Sequence, residues 1–305
     1  MLIVITELWV KVGIANLMKS DEQLEHIKKS LGRPTHEGQN YLIYSGDCIA
    51  LMSRMTDSMV DLTVTSPPYN IGKEYEKLLS LDEYLDWCEQ WIREIHRITV
   101  PNGTFWLNLG YVSIPQRAKA IPLPYLLWDR SPFFMLQEVV WHYGAGVAAK
   151  RFYSPRNEKF IWYVKNSDDY VFNLDDVRDP NVKYPNQKKN GKLKCNTIGK
   201  NPMDVWQFPK VTSGQKRSSK ERTSHPAQFP VAVIDRIIKA SSNAGDLVLD
   251  PFLGSGTTIE VALANGRLAV GFELKEEYVE MAVRRIESAI KRQAQERAQR
   301  TLFTG

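Results

Sequence analysis

The sequence predicts an α/β fold, in which a mostly parallel sheet is covered by helices on both faces. Short apolar stretches of strand length alternate along the chain with amphipathic stretches at helical spacing, as this architecture requires. Of 305 residues, 43% are hydrophobic and 25% are charged, which excludes a disordered or fibrous chain. The length fits one large domain or two smaller ones. Three cysteines without a C-x-x-C pair exclude a disulfide framework and are typical of the reducing cytoplasm.

Residues 1–40 are predicted to form an N-terminal extension. The apolar run at its start is interrupted by Glu7 and Lys11. A cationic segment before the run and a small-residue cleavage site after it are both missing. We therefore expect neither a signal peptide nor a membrane span. Within the extension, residues 20–32 are predicted to form a short capped helix.

The stretch 41–145 is predicted to supply the first half of the sheet. Its longest helical pattern covers residues 81–99, where apolar side chains recur at helical spacing, and Pro101-Asn102-Gly103 ends this helix. The remaining apolar stretches have strand length and predict strands at 41–45, 60–66, 103–110 and 138–144.

The stretch 146–224 is predicted to be a basic insert. Between residues 145 and 225 there are 17 Lys and Arg against 8 Asp and Glu, a net charge of +9, whereas the rest of the chain has 23 against 27, a net charge of −4. Aromatic residues are interspersed, a strand is predicted at 159–165, and the Pro-, Lys- and Asn-rich part from about 175 to 225 is predicted to be mostly loop. Charge alone is equally compatible with a polyanion-binding surface and with a solvated basic surface.

The stretch 225–305 returns to the α/β pattern and is predicted to complete the sheet. Two apolar stretches predict strands at 246–252 and 268–274. Amphipathic stretches around them predict helices at 227–242, 257–266 and 275–300.

A glycine-containing turn follows the strand that ends in Asp250. Gly254 and Gly256 let the backbone approach a ligand, and the next helix would offer its N-terminal N–H groups. Glu273, at the end of the following strand, is placed to accept hydrogen bonds from ribose hydroxyls. The turn is not a P-loop, because no lysine follows Gly256. Taken alone, it is better explained as an ordinary strand-to-helix turn with a surface glutamate.

The sequence Ser66-Pro67-Pro68-Tyr69 directly follows another apolar strand. The two prolines stiffen the loop, so that the Ser66 hydroxyl and the Pro67 carbonyl can act as fixed acceptors. Such acceptors can hold the hydrogens of a nucleobase amino group and direct its lone pair at an electrophile. Tyr69 can stack on the base. A rigid loop with a core-facing tyrosine would explain each residue singly, but not the four together at a strand end.

The S-P-P-Y sequence together with DPFLGSGTT resembles the S-adenosylmethionine-dependent DNA amino-methyltransferases of beta-type order, the N4-cytosine and N6-adenine enzymes of restriction-modification systems. The likeness covers roughly residues 40 to 290, and HPAQFP at 225–230 belongs to it. It implies a Rossmann-like methyltransferase fold, with a catalytic half at 41–145, a DNA target-recognition region at 146–224 and a cofactor-binding half at 225–305.

The resemblance also implies a role for individual residues, with S-adenosyl-L-methionine as cofactor and no metal. Glu273 would bind the cofactor ribose, and Asp47 would approach its adenine, although Asp47 can at the same time cap the following helix. His225 receives no catalytic role, and Trp141 is either a wall of the base pocket or a core residue. The remaining cofactor residues are Asp250, Phe252, Gly254 and Gly256, and the catalytic loop is Ser66, Pro67, Pro68 and Tyr69.

Double-stranded DNA is the partner that the resemblance implies, with the target nucleotide flipped into the site. Ser66, where adenine enzymes of this group commonly have Asp, favours cytosine N4 over adenine N6. Basic residues of the insert would contact phosphates or base edges, namely Arg151, Arg156, Lys188, Lys189, Lys216 and Arg217.

Other interpretations stay open at this point. Related enzymes with N-P-P-Y act on RNA bases or on protein glutamine amides, and a DNA-binding relative without activity is a further alternative. The sequence leaves open whether the protein is a monomer or a homodimer and whether a cognate restriction endonuclease accompanies it. No membrane partner is expected.

Overall fold

A nine-stranded sheet forms the centre of the computed structural model, which describes residues 22–72, 78–144, 146, 148–211 and 221–304. Two two-stranded hairpins, β5 with β6 and β9 with β10, lie outside that sheet. In chain order the strands are β1 (His36–Gly38), β2 (Tyr41–Ser45), β3 (Val60–Thr65), β4 (Thr99–Leu109), β5 (Tyr111–Ile114), β6 (Ala118–Pro122), β7 (Phe134–His142), β8 (Asn157–Val164), β9 (Lys188–Lys189), β10 (Lys192–Leu193), β11 (Val205–Gln207), β12 (Leu247–Asp250) and β13 (Leu268–Glu273).

The order of strands across the sheet is β1-β2-β13-β12-β3-β4-β8-β7-β11. The five strands from β2 to β4 run parallel, whereas β8 is antiparallel to both of its neighbours and β1 is antiparallel to β2. The last two strands of the chain, β12 and β13, thus lie between β2 and β3. This arrangement confirms the predicted mostly parallel sheet and brings the ends of β2, β3, β12 and β13 to one edge.

Helices cover both faces of the sheet, as expected. The first covers residues 22–31 (α1), and the others are α2 (Cys48–Met52), α3 (Leu81–Ile98), α4 (Val231–Ser241), α5 (Thr257–Ala264) and α6 (Glu276–Thr304). Short 3-10 helices occupy Leu123–Leu126, Trp128–Arg130 and Leu174–Val177. One hydrophobic core lies on each face of the sheet. Because parallel strands are buried on both faces, β12 is apolar except for its last residue and is buried throughout.

Helix α3 begins and ends close to the predicted positions. Ser80 caps it by accepting from the backbone of Glu83, whose carboxylate in turn accepts from the Ser80 N–H, so that two N-terminal donors are satisfied. The polypeptide then passes directly into β4, which begins at Thr99 and not at the predicted residue 103. The Pro-Asn-Gly segment therefore lies within an irregular start of the strand, where the register with β3 shifts.

Helix α4 begins four residues later than predicted. Pro230 is its N-cap residue, and residues 225–230 are not helical. A proline favours the first turn of a helix but disrupts its interior, and this segment has prolines at both ends. The prediction that 227–242 forms one helix was therefore wrong at its N-terminal end. Residues 1–21, with most of the predicted extension, lie outside the described residues.

The region 146–224 is not separate from the central sheet. Its strand β8 pairs with β4 and with β7, and its strand β11 pairs with β7. The part between Val164 and Val205 has little regular structure, as the sequence indicated. Trp141 is 3% exposed and donates from Nε1 to the Phe208 carbonyl at 2.8 Å, so it is a core residue.

Among the described residues, no helix is both long and apolar enough to cross a membrane.

Candidate active site

A cavity of about 210 Å³ lies at the carboxyl edge of the sheet, where β2, β3, β12 and β13 end. It is bounded by the loops after these strands, by α3, by the segment before α4 and by the start of α6. Ligands bind at this edge in open α/β sheets. Predicted site residues in its lining are Asp47, Ser66, Pro67, Pro68, Tyr69, Asp250, Phe252, Gly254 and Glu273.

The loop 66–69 is held by hydrogen bonds within itself and to β4 and α3. The Ser66 hydroxyl donates to Tyr69 Oη at 2.9 Å, and Tyr69 Oη donates to Asn108 Oδ1 at 2.6 Å. Because the Ser66 proton is directed at Tyr69, the oxygen lone pairs of Ser66 can accept from a ligand. Tyr84 donates to the Pro68 carbonyl at 2.6 Å and so fixes the second proline from helix α3.

The Tyr69 ring packs against a glycine that directly follows the neighbouring strand β4. A Cβ added to Gly110 would lie 2.8 Å from two atoms of the Tyr69 ring, which is too close for a non-bonded contact of a Cβ. The hydroxyl of Tyr69 also has a second acceptor, Glu158 Oε2, at 3.4 Å. Strands β4 and β8 thus orient the aromatic side chain of the loop after β3.

Asp250 connects the catalytic strand to the glycine turn. Its carboxylate accepts from Thr65 Oγ1 at 2.7 Å, from Thr258 Oγ1 at 2.6 Å and from the Phe252 N–H at 3.1 Å. Burial raises the pKa of Asp250 to about 6, against the effect of these hydrogen bonds. Asp250 lines the cavity, but its carboxylate is engaged in joining the end of β3 to the start of α5.

Glu273 and Gly254, two residues predicted to contact a ligand, lie next to each other in the cavity lining. The Gly254 N–H donates to one carboxylate oxygen of Glu273 at 2.8 Å, and the Lys275 N–H donates to the other at 3.0 Å. Gly254 has φ +51°, and a Cβ there would lie 3.0 Å from the His225 ring. The His225 ring packs edge-on against Tyr278, and burial lowers the pKa of this histidine. His225 therefore shapes the cavity as a neutral ring.

Gly256 does not line the cavity, contrary to the prediction. It is the N-cap of α5, with φ +79°, and a Cβ there would lie 2.9 Å from the Cβ of Ala282 in α6. The contact with Ala282 is thus a reason for glycine at this position.

Asp47 and Phe252, two predicted cofactor residues, both line the cavity. Asp47 caps α2 by accepting from the Ala50 N–H at 2.9 Å and also lines the cavity, so both of its expected roles are compatible. The Phe252 ring packs edge-on against Trp87 and Trp91 of α3, at centroid distances of 5.7 and 5.4 Å. These rings anchor the turn after β12 to the core.

The lining fits S-adenosyl-L-methionine by the chemistry of its donors and acceptors. Glu273 supplies a carboxylate whose oxygens retain acceptor capacity for hydroxyls. Gly254 leaves space in front of the His225 ring, which a Cβ at this position would crowd. Aromatic and apolar side chains, including Trp87 and Phe229, supply the remaining walls. Ligand pockets typically combine such walls with a few fixed polar groups.

The mostly parallel sheet, with a proline-stiffened loop and a glycine turn opening on one cavity, defines the class of Rossmann-like, S-adenosylmethionine-dependent methyltransferases. The chain belongs to the N6_N4_Mtase family of DNA methylases, whose sequence model matches residues 60–284. The protein is therefore an enzyme that transfers a methyl group to amino groups of DNA bases, as the sequence motifs predicted.

Relatives of known name support this membership. The chain is 62% identical to the type II methyltransferase M.ScaI of Streptomyces caespitosus, over 88% of both chains. It is 35% identical to the DNA adenine methyltransferase YhdJ of Escherichia coli K12, over 84% of this chain and 86% of the relative.

Solved structures show the same fold. The cytosine-N4-specific PvuII DNA methyltransferase has a TM-score of 0.67 at 21% identity, over 86% of this chain and 94% of its own. A putative DNA modification methylase of Thermus thermophilus, solved with S-adenosyl-L-methionine, has a TM-score of 0.56 at 24% identity, over 81% and 93%.

Four of the six predicted DNA contacts belong to the described residues, and these four do not line the cavity. Arg151, Lys188 and Lys189 are exposed, and Arg156 is half-buried beside Gly146. The last two predicted contacts, Lys216 and Arg217, lie outside the described residues.

Several side chains of the site were missed by sequence analysis. Asn108 and Glu158 reach Tyr69 from β4 and β8, and Lys210 reaches Glu158 at 2.7 Å. These residues are distant in sequence from both motifs. The position of Asn108 near a strand end was a usable signal, because polar residues there face the carboxyl edge of the sheet.

Proposed function

We propose that this DNA methyltransferase acts on the exocyclic N4 amino group of cytosine in duplex DNA. The observation that carries the proposal is Ser66 as the first residue of the catalytic loop. Its hydroxyl, which donates to Tyr69, offers a neutral acceptor to the target amino group.

The residues of the loop divide the work of orienting the amino group. Tyr84 occupies the Pro68 carbonyl, so the Ser66 hydroxyl and the Pro67 carbonyl are assigned to the two amino hydrogens. Acceptors on both hydrogens localise the nitrogen lone pair, which is otherwise delocalised into the ring. S-adenosylmethionine supplies the methyl group as an electrophilic sulfonium. Tyr69 stacks on the flipped base and holds it in line.

Adenine N6 is a second candidate target. It is favoured by the 35% identity to an adenine methyltransferase, and adenine presents the same amino chemistry. Serine and aspartate both accept hydrogen bonds, so the loop sequence permits either base.

Nucleoside analysis distinguishes the two targets. DNA is methylated with the purified enzyme and a labelled methyl donor, digested to nucleosides and analysed by mass spectrometry. We expect N4-methylcytosine, and N6-methyladenine as the product would contradict the proposal. Transfer RNA and a glutamine-containing peptide serve as controls and should remain unlabelled. An inactive relative would label none of these substrates.

We further propose that the region 146–224 recognises the DNA sequence, between a catalytic half at 41–145 and a cofactor half at 225–305. Its net positive charge and the exposed Arg151, Lys188 and Lys189 support phosphate contacts. Methylation-sensitive sequencing of DNA from expressing cells would report the recognised sequence.

We propose that the enzyme serves a restriction-modification system and acts on DNA in the cytoplasm. The 62% identity to a type II methyltransferase supports this role. A cognate endonuclease is then the expected companion, and its cleavage of DNA should be blocked by prior treatment with this enzyme. Light scattering with and without DNA would distinguish a monomer from a homodimer.

A further inference from the structure

A chain of hydroxyl groups leads from the catalytic loop to a carboxylate on β8. Ser66 Oγ donates to Tyr69 Oη, which lies 2.6 Å from Asn108 Oδ1 and 3.4 Å from Glu158 Oε2. The two acceptors differ in chemistry. The amide oxygen of Asn108 can accept a hydrogen bond but is not basic, whereas the carboxylate of Glu158 can take up a proton.

Glu158 is held in place by a largely buried ion pair. Lys210 Nζ lies 2.7 Å from Glu158 Oε1, and the two side chains are 24% and 15% exposed, respectively. The same ammonium lies 3.9 Å from the centre of the Tyr143 ring. Burial disfavours the charged lysine, yet Glu158 and Tyr143 raise the pKa of Lys210 above its ordinary value. The pair therefore keeps one carboxylate oxygen engaged and turns the other towards Tyr69.

Methyl transfer to an amino group leaves a surplus proton. The new N–C bond forms as the S–C bond of the donor breaks, and the nitrogen then carries two hydrogens, a methyl group and a positive charge. One N–H bond must break before a neutral methylated base leaves. The residue that first contacts this nitrogen, Ser66, is not a strong base and needs an acceptor beyond it.

We propose that Glu158 receives this proton through Tyr69 and Ser66. The base N–H passes its proton to Ser66 Oγ, the Ser66 proton moves to Tyr69 Oη, and the Tyr69 proton moves to Glu158 Oε2. Both hydroxyls end the sequence neutral, the base ends neutral, and the carboxylate ends protonated. Glu158 then releases the proton to water, which reaches its partly exposed side chain.

In the described part of the chain, the charged and titratable groups near Glu158 include Lys210, Tyr69, Tyr111 and Tyr143. Burial raises the pKa values of Tyr111 and Tyr143, and the nearby Glu158 adds to both shifts. These phenols therefore stay protonated around neutral pH and do not compete as proton acceptors. The proposal rests on amino methylation and applies to cytosine or adenine alike.

The test is the pH dependence of multiple-turnover methylation in the variant Glu158→Gln, because the proton is removed after methyl transfer and before the neutral methylated base leaves. Glutamine keeps the shape and a hydrogen-bond acceptor but cannot take up the proton. The matched control is Glu138→Gln, because Glu138 pairs with Lys159 at 3.0 Å in the same sheet and is not part of the chain of hydroxyls. Rates are measured from about pH 4 to 9, together with the affinity for S-adenosylmethionine and for DNA.

We expect the parent rate and the Glu138→Gln rate to fall towards acid pH, because a carboxylic acid that already carries a proton accepts no other. The Glu158→Gln variant should be slower by about tenfold to a hundredfold at neutral pH, with both affinities kept and without this acid limb. The proposal is overturned if the rate of Glu158→Gln still falls towards acid pH, or if the rate of the parent does not fall there. The identity of the methylated nucleoside is read separately, so a failure of the cytosine assignment is distinguishable.

The variant Tyr69→Phe covers the case in which Glu158→Gln folds poorly, because it leaves Glu158 unchanged, and it should lower the rate of multiple turnover by itself. Tyr69→Phe removes the relay hydroxyl but keeps the ring. If the proton moves through Tyr69, adding Glu158→Gln to Tyr69→Phe should slow multiple turnover by less than about threefold further, because both changes break one path. Multiplication of the two individual effects would overturn the proposal.

Discussion

Tyr69 combines two functions in one side chain, since its ring faces the cavity while its hydroxyl connects β3 to β4 and β8. We expect Tyr69→Ala to abolish methylation, because the flipped base loses its stacking surface. Binding of S-adenosylmethionine should be retained, because Glu273 and Gly254 are unchanged. The measurements are methyl transfer and the thermal shift caused by the cofactor. Loss of that shift would mean that the loop has been assigned the wrong role.

Asp250 makes a pH-dependent contribution to stability. Its pKa is about 6 in the folded protein and about 3.9 in an unfolded chain, so the folded state binds more protons in between. The contribution is complete below about pH 4 and is lost as the pH rises through about 6, and it amounts to roughly 3 kcal/mol.

The variant Asp250→Asn should remove this dependence. We expect the free energy of unfolding of the parent, relative to that of Asp250→Asn, to fall between pH 4 and 7 by roughly 3 kcal/mol. Urea denaturation at several pH values measures it. A constant difference between the two proteins across this range would show that Asp250 is not buried as described.

At the level of residues, a sequence motif can indicate a residue whose effect depends on its own backbone and on its neighbours in the sequence. Pro67, Pro68 and Gly254 act through their own dihedral angles and neighbours, so a motif reveals them. A motif does not reveal the contact of Gly256 with Ala282, because Ala282 belongs to another helix that is distant in the sequence. Glu158 and Lys210 approach the site through tertiary folding, which one sequence does not show.

At the level of elements, strands and helices with strong periodicity were predicted to within a few residues. The core strands β12 and β13 are continuously apolar up to their last residue, and the apolar residues of α3 recur at helical spacing and are mostly buried in the fold. The short strands β1 and β11 and the two hairpins were not predicted, because two to five residues carry too little pattern. The start of α4 was mispredicted because apolar periodicity continues across the loop before Pro230.

The contact between α5 and α6 provides a prediction at this scale. Gly256→Ala should destabilise the protein by about 1–3 kcal/mol more than Gly266→Ala. Both glycines have similar positive φ values, +79° and +71°, but a new Cβ meets Ala282 at the first and nothing within 4 Å at the second. Thermal or chemical unfolding measures the difference, and equal losses would show that the helices separate without cost.

At the level of the whole molecule, the charge distribution predicts how DNA binding depends on salt. Replacing Lys188 and Lys189 with alanine should reduce the slope of log affinity against log salt by about 2, because two phosphate contacts are lost. Replacing Lys29 and Arg33, which are exposed outside the region 146–224, should leave the slope unchanged. An unaltered slope in the first variant would remove the β9 lysines from the DNA surface.

The placement of β12 and β13 between β2 and β3 has a consequence for biosynthesis. The Thr65 to Asp250 hydrogen bond joins residues 185 positions apart, and the ribosome delivers its second partner late. Until then, the nascent polypeptide has two unpaired parallel edges, which makes it a client for chaperones. A product of interrupted translation that ends before β12 lacks half of the cavity. Such fragments leave the genome unmarked, so modification begins only with completed molecules.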